Sequence, residues 1–288
     1  MNASLAIVIV SYNVRELLRE CLRRLEGQRV IIVDNASADG SAEMIRNEFP
    51  DATLIANADN RGFAAACNQG LAASTAEFVF ILNPDTTVAP PALAALLELM
   101  RADARVGACG PRLLNTDGSL QYSCRCFPTL GRLAMDELGL GKLFPKSRFF
   151  GDYRMTWWPH DERREVDQLM GAALLLRRAA LDDAGVFDER FFMYYEEVDL
   201  CLRLHQRGWK VVFAPDAVVT HHGGASARQS FAAMTLARYR SLFAFYRKHY
   251  PAWHRILLKI IVAIAATLRL PTSRRAAFAP VPRKVWSL

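Results

Sequence analysis

The stretch Leu5-Ala6-Ile7-Val8-Ile9-Val10-Ser11-Tyr12-Asn13 (LAIVIVSYN, residues 5–13) decides the fold. Six consecutive apolar residues, four of them β-branched, show no polar alternation, so the strand they form is buried on both faces. Three polar residues follow at once, as at the carboxyl end of a central strand. A helical stretch comes next, with Leu17, Leu18, Cys21, Leu22 and Leu25 on one face. The alternation then repeats: a strand at 30–33 ending in Asp34-Asn35, a helix at 41–49, a strand at 52–55, an Ala-rich helix at 61–73 and a strand at 78–82 ending in Asn83-Pro84-Asp85. Pro90-Pro91 opens a further helix, where proline in the first turn is tolerated. Strands and helices alternating at this spacing predict βαβ units and a mostly parallel sheet covered by helices on both faces. Ligands of such sheets bind at the carboxyl ends of the strands. Asn, Asp and Pro also make ordinary turns, but three polar ends on consecutive strands favour a nucleotide pocket.

Composition narrows the class. The chain has 288 residues, 52% apolar and 23% charged, enough for a sizeable core and too apolar for disorder. Its net charge of +7 is unevenly spread. Residues 1–216 carry all 29 acids against 24 of the bases, whereas 217–288 carry 12 bases and no acid. A basic tail on an acidic body suggests contact with an anionic surface at one end, with membrane phospholipid ahead of RNA. Cys124 and Cys126, one residue apart, fit neither a zinc knuckle nor a redox pair, and the other cysteines read as small buried hydrophobes of a reducing compartment. The apolar run at Leu5 lacks a preceding basic region, which reads as a first strand and not a signal peptide, so the body is expected in the cytoplasm. From Gly110 to Val166 the pattern loosens into an expected loop-rich insertion over the site, where an acceptor would be recognised.

No Gly-rich dinucleotide loop follows the first strand and no phosphate loop of the Lys-Ser/Thr type occurs, so NAD enzymes and P-loop NTPases are poor candidates. An ordered set of fragments is present instead: Val10-Ser11-Tyr12-Asn13, Val33-Asp34-Asn35-Ala36-Ser37, Asn60-Arg61-Gly62-Phe63, Cys67-Asn68-Gln69-Gly70 and Leu82-Asn83-Pro84-Asp85. Further on stand Gly171-Ala172, Phe187-Asp188-Glu189, the run Phe192-Met193-Tyr194-Tyr195-Glu196-Glu197-Val198-Asp199-Leu200 and His221-His222-Gly223-Gly224-Ala225-Ser226. Together these resemble the inverting glycosyltransferases of family 2, over most of the chain. The resemblance implies an α/β GT-A fold, Rossmann-like in its nucleotide-binding half, over 1–230, followed by a basic helical extension at 231–288. Asn-Pro-Asp with this acidic helix is similar to the rhamnosyltransferases of cell-wall and O-antigen polysaccharide assembly, which implies dTDP-rhamnose as donor and a lipid-linked or polysaccharide acceptor. Other UDP-sugars of the family, such as UDP-galactofuranose or UDP-glucose, are the first alternative. A non-catalytic nucleotide- or RNA-binding module is the second, supported only by the acid-free tail.

The resemblance also implies roles. Loss of a nucleoside diphosphate needs its new charge stabilised, which Mg²⁺ or Mn²⁺ would do on Asp85 and His221, with His222 the lesser partner. Asp34 matches the residue that accepts a hydrogen bond from the pyrimidine base, with Ser11, Tyr12, Asn13 and Asn35 around it. Arg61, Gly62 and Asn68, with Asn83 and Pro84, match the segments lining diphosphate and sugar. For Asp39 a helix-capping role is the stronger reading. Glu196, Glu197 and Asp199 place three carboxylates in four residues, and inversion needs one base for the acceptor hydroxyl. Glu197 stands where the family carries Asp, and is expected to be that base; Asp199, paired with Arg203 four residues on, is its rival.

In the tail, Tyr239, Phe243, Tyr246 and Tyr250 share one helix face, a pattern more common in cores than on binding surfaces. Residues 255–270 form a second expected helix, with Arg255, Lys259 and Arg269 on one side and Ile256, Leu257, Ile260, Ile261, Ile264 and Leu268 on the other. At ~24 Å it is shorter than the ~30 Å hydrocarbon core. It is therefore expected to lie in the plane of a membrane surface, helped by Arg274, Arg275, Arg283 and Lys284, at the inner face of the cell membrane. The competing reading is a helix packed on the catalytic domain.

Overall fold

The apolar run at the N-terminus forms β1 (Leu5–Ser11), followed by α1 (Arg15–Arg23), β2 (Val30–Asp34), α2 (Ser41–Glu48), β3 (Thr53–Ala56), α3 (Phe63–Ala72) and β4 (Phe78–Leu82). The computed structural model describes residues 4–223, 231–269, 278 and 281–284. Gly224, Ala225, Ser226, Arg274 and Arg275 of the sequence reading lie outside them, as does the side chain of Arg283. The first four strands run parallel in the order β3-β2-β1-β4, with Ser11 beside Asp34 and Ile9 beside Leu82. Their polar ends consequently share one edge of the sheet.

The sheet is mixed beyond β4. Next come β5 (Thr86–Val88), α4 (Pro90–Ala102), β6 (Val106–Leu114), β7 (Leu120–Gln121), β8 (Cys124–Arg125), α5 (Leu130–Glu137), α6 (Leu140–Leu143), β9 (Arg164–Glu165), β10 (Gln168–Leu169), β11 (Ala173–Arg177), α7 (Arg178–Ala184), α8 (Glu196–Gln206) and β12 (Lys210–His221). The main path continues β4-β11-β6-β12-β5, with β11 antiparallel to both of its neighbours. Ala173 pairs with Leu82, so reversal brings the start of β11 to the edge where β4 ends. The end of β12, at His221, pairs with Thr86 of β5 on that same edge.

Alternating side chains of each central strand feed two cores. Ile7, Ile9, Phe78, Phe80 and Leu82 meet α1 and α4 on one face. Val8, Ile31, Val79 and Ile81 meet α3 and α8 on the other, as a two-sided strand requires. Gly70 of α3 lies so close to β1 that a Cβ there would collide with Val8. The six cysteines are all free, and five of them are buried.

Three expectations need correction. Residues 110–114 continue β6 and are not the start of a loop. Helix α3 begins at Phe63 and not at Arg61, because Gly62 has φ +84, outside the helical region. Trp158 is buried, stacked on His160 and edge-on to Phe213, so this part of the insertion is packed structure.

After β12 come α9 (Phe231–His249), α10 (Ala252–Leu268) and a single turn, α11 (Val281–Lys284). Tyr239, Phe243 and Tyr246 of α9 are buried in a third core with Leu133, Phe191, Tyr195 and Val198. Helix α10 joins this core through Leu258, Val262 and Ala266. Its opposite side exposes Trp253, Ile256, Leu257, Ile260, Ile264 and Leu268, each 42–62% accessible. The packed-helix reading holds for one stripe, and a second apolar stripe faces outward. Among the described residues no helix is long and apolar enough to cross a membrane.

The two stripes predict opposite responses. Leu258→Ala should destabilise the fold by about 2–5 kcal/mol, as buried Leu truncations do. Ile264→Ala should change stability by less than about 0.5 kcal/mol. Denaturant unfolding of both variants checks this, and equal losses would refute the assignment of faces.

Candidate active site

The sheet edge where β1, β2, β4 and β12 end and β11 begins opens into a cavity of about 480 Å³. Tyr12, Asn13 and Asn35 line one side; Asn83, Pro84, Asp85 and His221 line the floor; Phe192, Tyr194, Glu196 and Glu197 close the opposite side. The loop after β1 is fixed by Asn13, whose backbone N–H donates to Ser37 Oγ at 2.9 Å and whose Oδ1 accepts from the Ala38 N–H at 2.8 Å. Asp34 is buried: Oδ2 accepts from the Ser37 N–H at 3.0 Å, while Oδ1 has no hydrogen-bond partner. An acceptor held dry and unsatisfied needs a donor from outside the chain. Asp39 takes the capping role, accepting from the Arg15 N–H at 2.8 Å and the Ser41 N–H at 3.0 Å, the first residues of α1 and α2.

Gly62 joins the two sides. A Cβ there would collide with the Phe192 carbonyl oxygen, and its own carbonyl accepts from Asn35 Nδ2 at 3.1 Å. The Phe63 N–H donates to that same Phe192 oxygen at 2.7 Å. Only a residue without a Cβ, at φ +84, permits this crossing. Ser11, Asp34, Arg61 and Asn68, by contrast, do not line the cavity. Asn68 brackets Phe187, donating to its carbonyl at 2.9 Å and accepting from its N–H at 3.1 Å. It holds a loop and is not turned toward the cavity.

On the floor, His221 Nε2 lies 3.2 Å from Asp85 Oδ1. Gln121, absent from the sequence reading, fixes the ring: Oε1 stands 2.6 Å from His221 Nδ1, and Nε2 donates to Asn115 Oδ1 at 2.8 Å. With the amide oriented by Asn115, the Gln121 contact fixes the ring and turns Nε2 toward Asp85. Such a donor set suits a divalent cation. The His222 backbone N–H donates to the Asp85 carbonyl at 2.9 Å. Among the described residues no cluster of three or more His, Cys, Asp or Glu side chains is arranged to hold a metal.

The acidic trio divides. Glu196 and Glu197 face the cavity and each keeps one buried carboxylate oxygen without a partner. Burial pushes both carboxyls up, Glu196 furthest, because the neighbouring Glu197 charge adds to it. Both groups are thus poised to hold a proton more readily than an ordinary glutamate, Glu196 the more so of the two. Asp199 is absent from the cavity and 0% exposed. It is ringed by Arg203 at 2.8 Å, Lys248 at 2.6 Å and His249 at 2.7 Å. Burial alone would raise its carboxyl, but the hydrogen bonds from His249, Lys248 and Arg203 outweigh it and hold the group below the usual range. Before the helix, Tyr194 and Tyr195 both adopt left-handed backbone (φ 68 and 70), strained for residues with a Cβ.

Comparison with known proteins follows the same lines. The family described as glycosyl transferase family 2 matches residues 6–158. The N-acetylglucosaminyl-diphospho-decaprenol L-rhamnosyltransferase of Mycobacterium tuberculosis is 32% identical over 285 residues, covering 93% of this chain and 92% of its own length. The pre-mycofactocin glycosyltransferase of the same organism is 30% identical, over 76% of this chain and 43% of its own. Among solved structures, the mannosyltransferase PcManGT of Pyrobaculum calidifontis, in complex with GDP-Man and Mn²⁺, superposes with a TM-score of 0.57 at 19% identity, over 99% of this chain and 80% of that one. At that identity the likeness establishes the GT-A fold.

The ring around Asp199 predicts a pH-dependent stability. A depressed carboxyl contributes above the unfolded-state value of about 3.9 and loses its contribution as pH falls through the folded value. Asp199→Asn should cost about 3–5 kcal/mol at neutral pH, because Arg203 loses its carboxylate partner and Lys248 keeps only Asp188. The difference from the parent should shrink on acidification below about pH 4. A pH-independent difference would sink this account.

Proposed function

We propose that this chain, which belongs to glycosyl transferase family 2, transfers rhamnose from dTDP-rhamnose to a sugar carried on a prenyl diphosphate. Glycosyl transfer and the GT-A fold are its family's; donor, acceptor and residue roles are the proposal. The observation that carries it is that Glu196 and Glu197 line the same cavity as Asp85 and His221. The relative at 32% identity, named for rhamnosyl transfer to a decaprenol-linked acceptor, supports the choice of sugar and carrier.

In this reading the pyrimidine base sits at the end of β2 beside Asn35; Asp34 lies behind the cavity lining, and its unpartnered Oδ1 would accept the base N–H once the wall over it is displaced. Tyr12, Asn13 and Asn35 flank the nucleoside, and Gly62 keeps its path free of side chains. Asp85 and His221 would hold Mg²⁺ or Mn²⁺, which supplies positive charge to the departing diphosphate. Glu197 takes the proton of the acceptor hydroxyl as its oxygen attacks the anomeric carbon from the face opposite the diphosphate; the carbon–oxygen bond to dTDP breaks in the same step. Glu196, beside it and raised further by burial and by the Glu197 charge, is the one of the pair that more readily carries a proton, which would lower the repulsion Glu197 meets. Asp199 and Asn68 act as positioning residues, holding α8 and the 187–189 loop.

Incubation with dTDP-rhamnose, UDP-glucose and UDP-galactofuranose, each with a prenyl-diphosphate-linked N-acetylglucosamine, tests the reading. Release of dTDP should dominate, require Mg²⁺ or Mn²⁺, and lose most of its metal dependence in Asp85→Ala. Glu197→Gln should lower transfer by ~10²–10⁴-fold with donor affinity kept. The raised Glu197 carboxyl should put the acid limb of the parent's kcat/KM profile above the ordinary Glu range, with activity rising as pH climbs through it. Normal transfer by Glu197→Gln would refute its role.

We further propose that the chain works at an anionic membrane surface, at the inner face of the membrane. Support comes from the acid-free tail and from the outward stripe of α10. The paired substitution Ile260→Glu and Ile264→Glu should abolish co-sedimentation with phosphatidylglycerol liposomes while nucleotide binding persists. Equal sedimentation of both proteins would remove the stripe from membrane contact.

A further inference from the structure

A second cavity, of about 490 Å³, adjoins the reaction cavity. Tyr194 and Met234 line both, so the two cavities meet at these residues. It is built by α5, α6 and the tail helices, from residues the reaction does not use. Four cations line it, Lys142, Arg154, Arg238 and Arg269, against two carboxylates, Asp136 and Glu137. Glu137 is shared by Arg238 at 2.8 Å and Arg269 at 3.3 Å, and Asp136 pairs with Arg154. Lys142 is exposed at the rim and has no ion pair among the described residues. The lining therefore carries an excess of positive charge, in a chain whose first 216 residues are net acidic.

One end of the outward stripe of α10 is part of this cavity. Trp253, Leu257, Ile260, Ile264 and Leu268 follow each other at steps of four, three, four and four, and Leu268 lines the cavity itself. A continuous apolar track about 22 Å long, at 1.5 Å per residue, thus ends at a cation-rich hollow. Across Tyr194 and Met234 lies the cavity that Glu197 lines. Apolar track, cationic hollow and reaction cavity stand in the order of hydrocarbon, diphosphate and sugar in one amphiphilic molecule.

Resting on the acceptor class proposed above, we propose that the second cavity is the subsite for the acceptor's diphosphate. The sugar then reaches past Tyr194 and Met234 to Glu197, and the prenyl chain leaves over Leu268. Arg238 and Arg269, fixed by Glu137, give the hollow its field; Lys142, without a carboxylate partner, makes the direct contact. With the α10 stripe in the lipid interface, the mouth of the cavity lies at the level where a lipid-borne diphosphate resides.

Farnesyl diphosphate, added to the full chain, is the probe. Calorimetry should give saturable binding that dTDP with Mg²⁺ does not displace. Lys142→Glu should weaken it by about tenfold or more, and Leu268→Glu should weaken farnesyl diphosphate more than inorganic pyrophosphate. Both variants should keep the parent's affinity for dTDP, which also reports an intact fold. Displacement by dTDP, or unchanged affinity in Lys142→Glu, would overturn the assignment. In the transfer assay Lys142→Glu should raise the acceptor KM with the donor KM unaltered. A chain that transfers no rhamnose yet binds farnesyl diphosphate in this Lys142-dependent way would overturn the donor assignment and leave this subsite standing. Rhamnosyl transfer with an unchanged acceptor KM in Lys142→Glu would overturn the subsite alone.

Discussion

One fully buried carboxylate, Asp199, holds the catalytic half of the molecule in register. It sits on the first turn of α8, just after the two glutamates that face the cavity, and Arg203, Lys248 and His249, from two helices, converge on it. Arg203 extends the tie to the end of α7, donating to the carbonyls of Gly185 and Val186 at 2.9 and 2.8 Å. Lys248 extends it to Asp188, in the loop bracketed by Asn68. So α7, α8, α9 and the 187–189 loop share one electrostatic knot. Isolated buried ion pairs contribute little net stability, because desolvation offsets attraction. A carboxylate with three donors is different, since its lone pairs are all satisfied and removing it strands several charges at once.

The knot also accounts for how two carboxyls can be held side by side. Glu196 and Glu197 carry costs that nothing in their own contacts repays: burial, mutual repulsion and two unpartnered oxygens. Two left-handed tyrosines before the helix add roughly 1–3 kcal/mol each. The compensation is supplied by packing. Tyr195 belongs to the third core, against Phe245 and the aromatic face of α9, while Val198 and Leu200 anchor the helix on its other sides. Strain concentrated where chemistry is proposed, with aromatic packing directly behind it, is the arrangement expected of a preorganised site.

The nucleotide half of the fold was legible because each signal was local. A continuous β-branched run, a polar strand end and an Ala-rich helix each fit within about ten residues, and β1, β2 and β4 formed where the pattern put them. The antiparallel β11 escaped notice for a physical reason: Ala-Leu-Leu-Leu-Arg buried on both faces carries no sign of direction. Gln121 escaped as well, since its role depends on a contact 100 residues away with His221. Asn68 and Asp199 show the limit of carrying roles along a motif. Both stand in recognisable segments, yet one brackets a loop and the other is enclosed by cations, and only the three-dimensional contacts distinguish a residue that faces the cavity from one that supports it.

The tail illustrates a different limit. A helical wheel resolves one apolar arc, and α10 has apolar residues on more than one side, so periodicity could favour either a packed helix or an interfacial one. The two stripes differ in residue size. Ala265 and Ala266 accompany Leu258 and Val262 on the buried side, whereas Trp253 and a succession of Ile and Leu stand outward. A helix adapted only to pack on its own body would put its bulk inside, where each buried Leu or Ile contributes ~1.5–3 kcal/mol. Here small residues allow close approach to the body and the large ones are left in water. Exposed apolar surface of that extent on an otherwise charged chain calls for a covering. Basic residues without acids around it make an anionic, hydrocarbon-bearing surface the chemically matched one, and the same helix that would touch it also walls the cation-rich cavity.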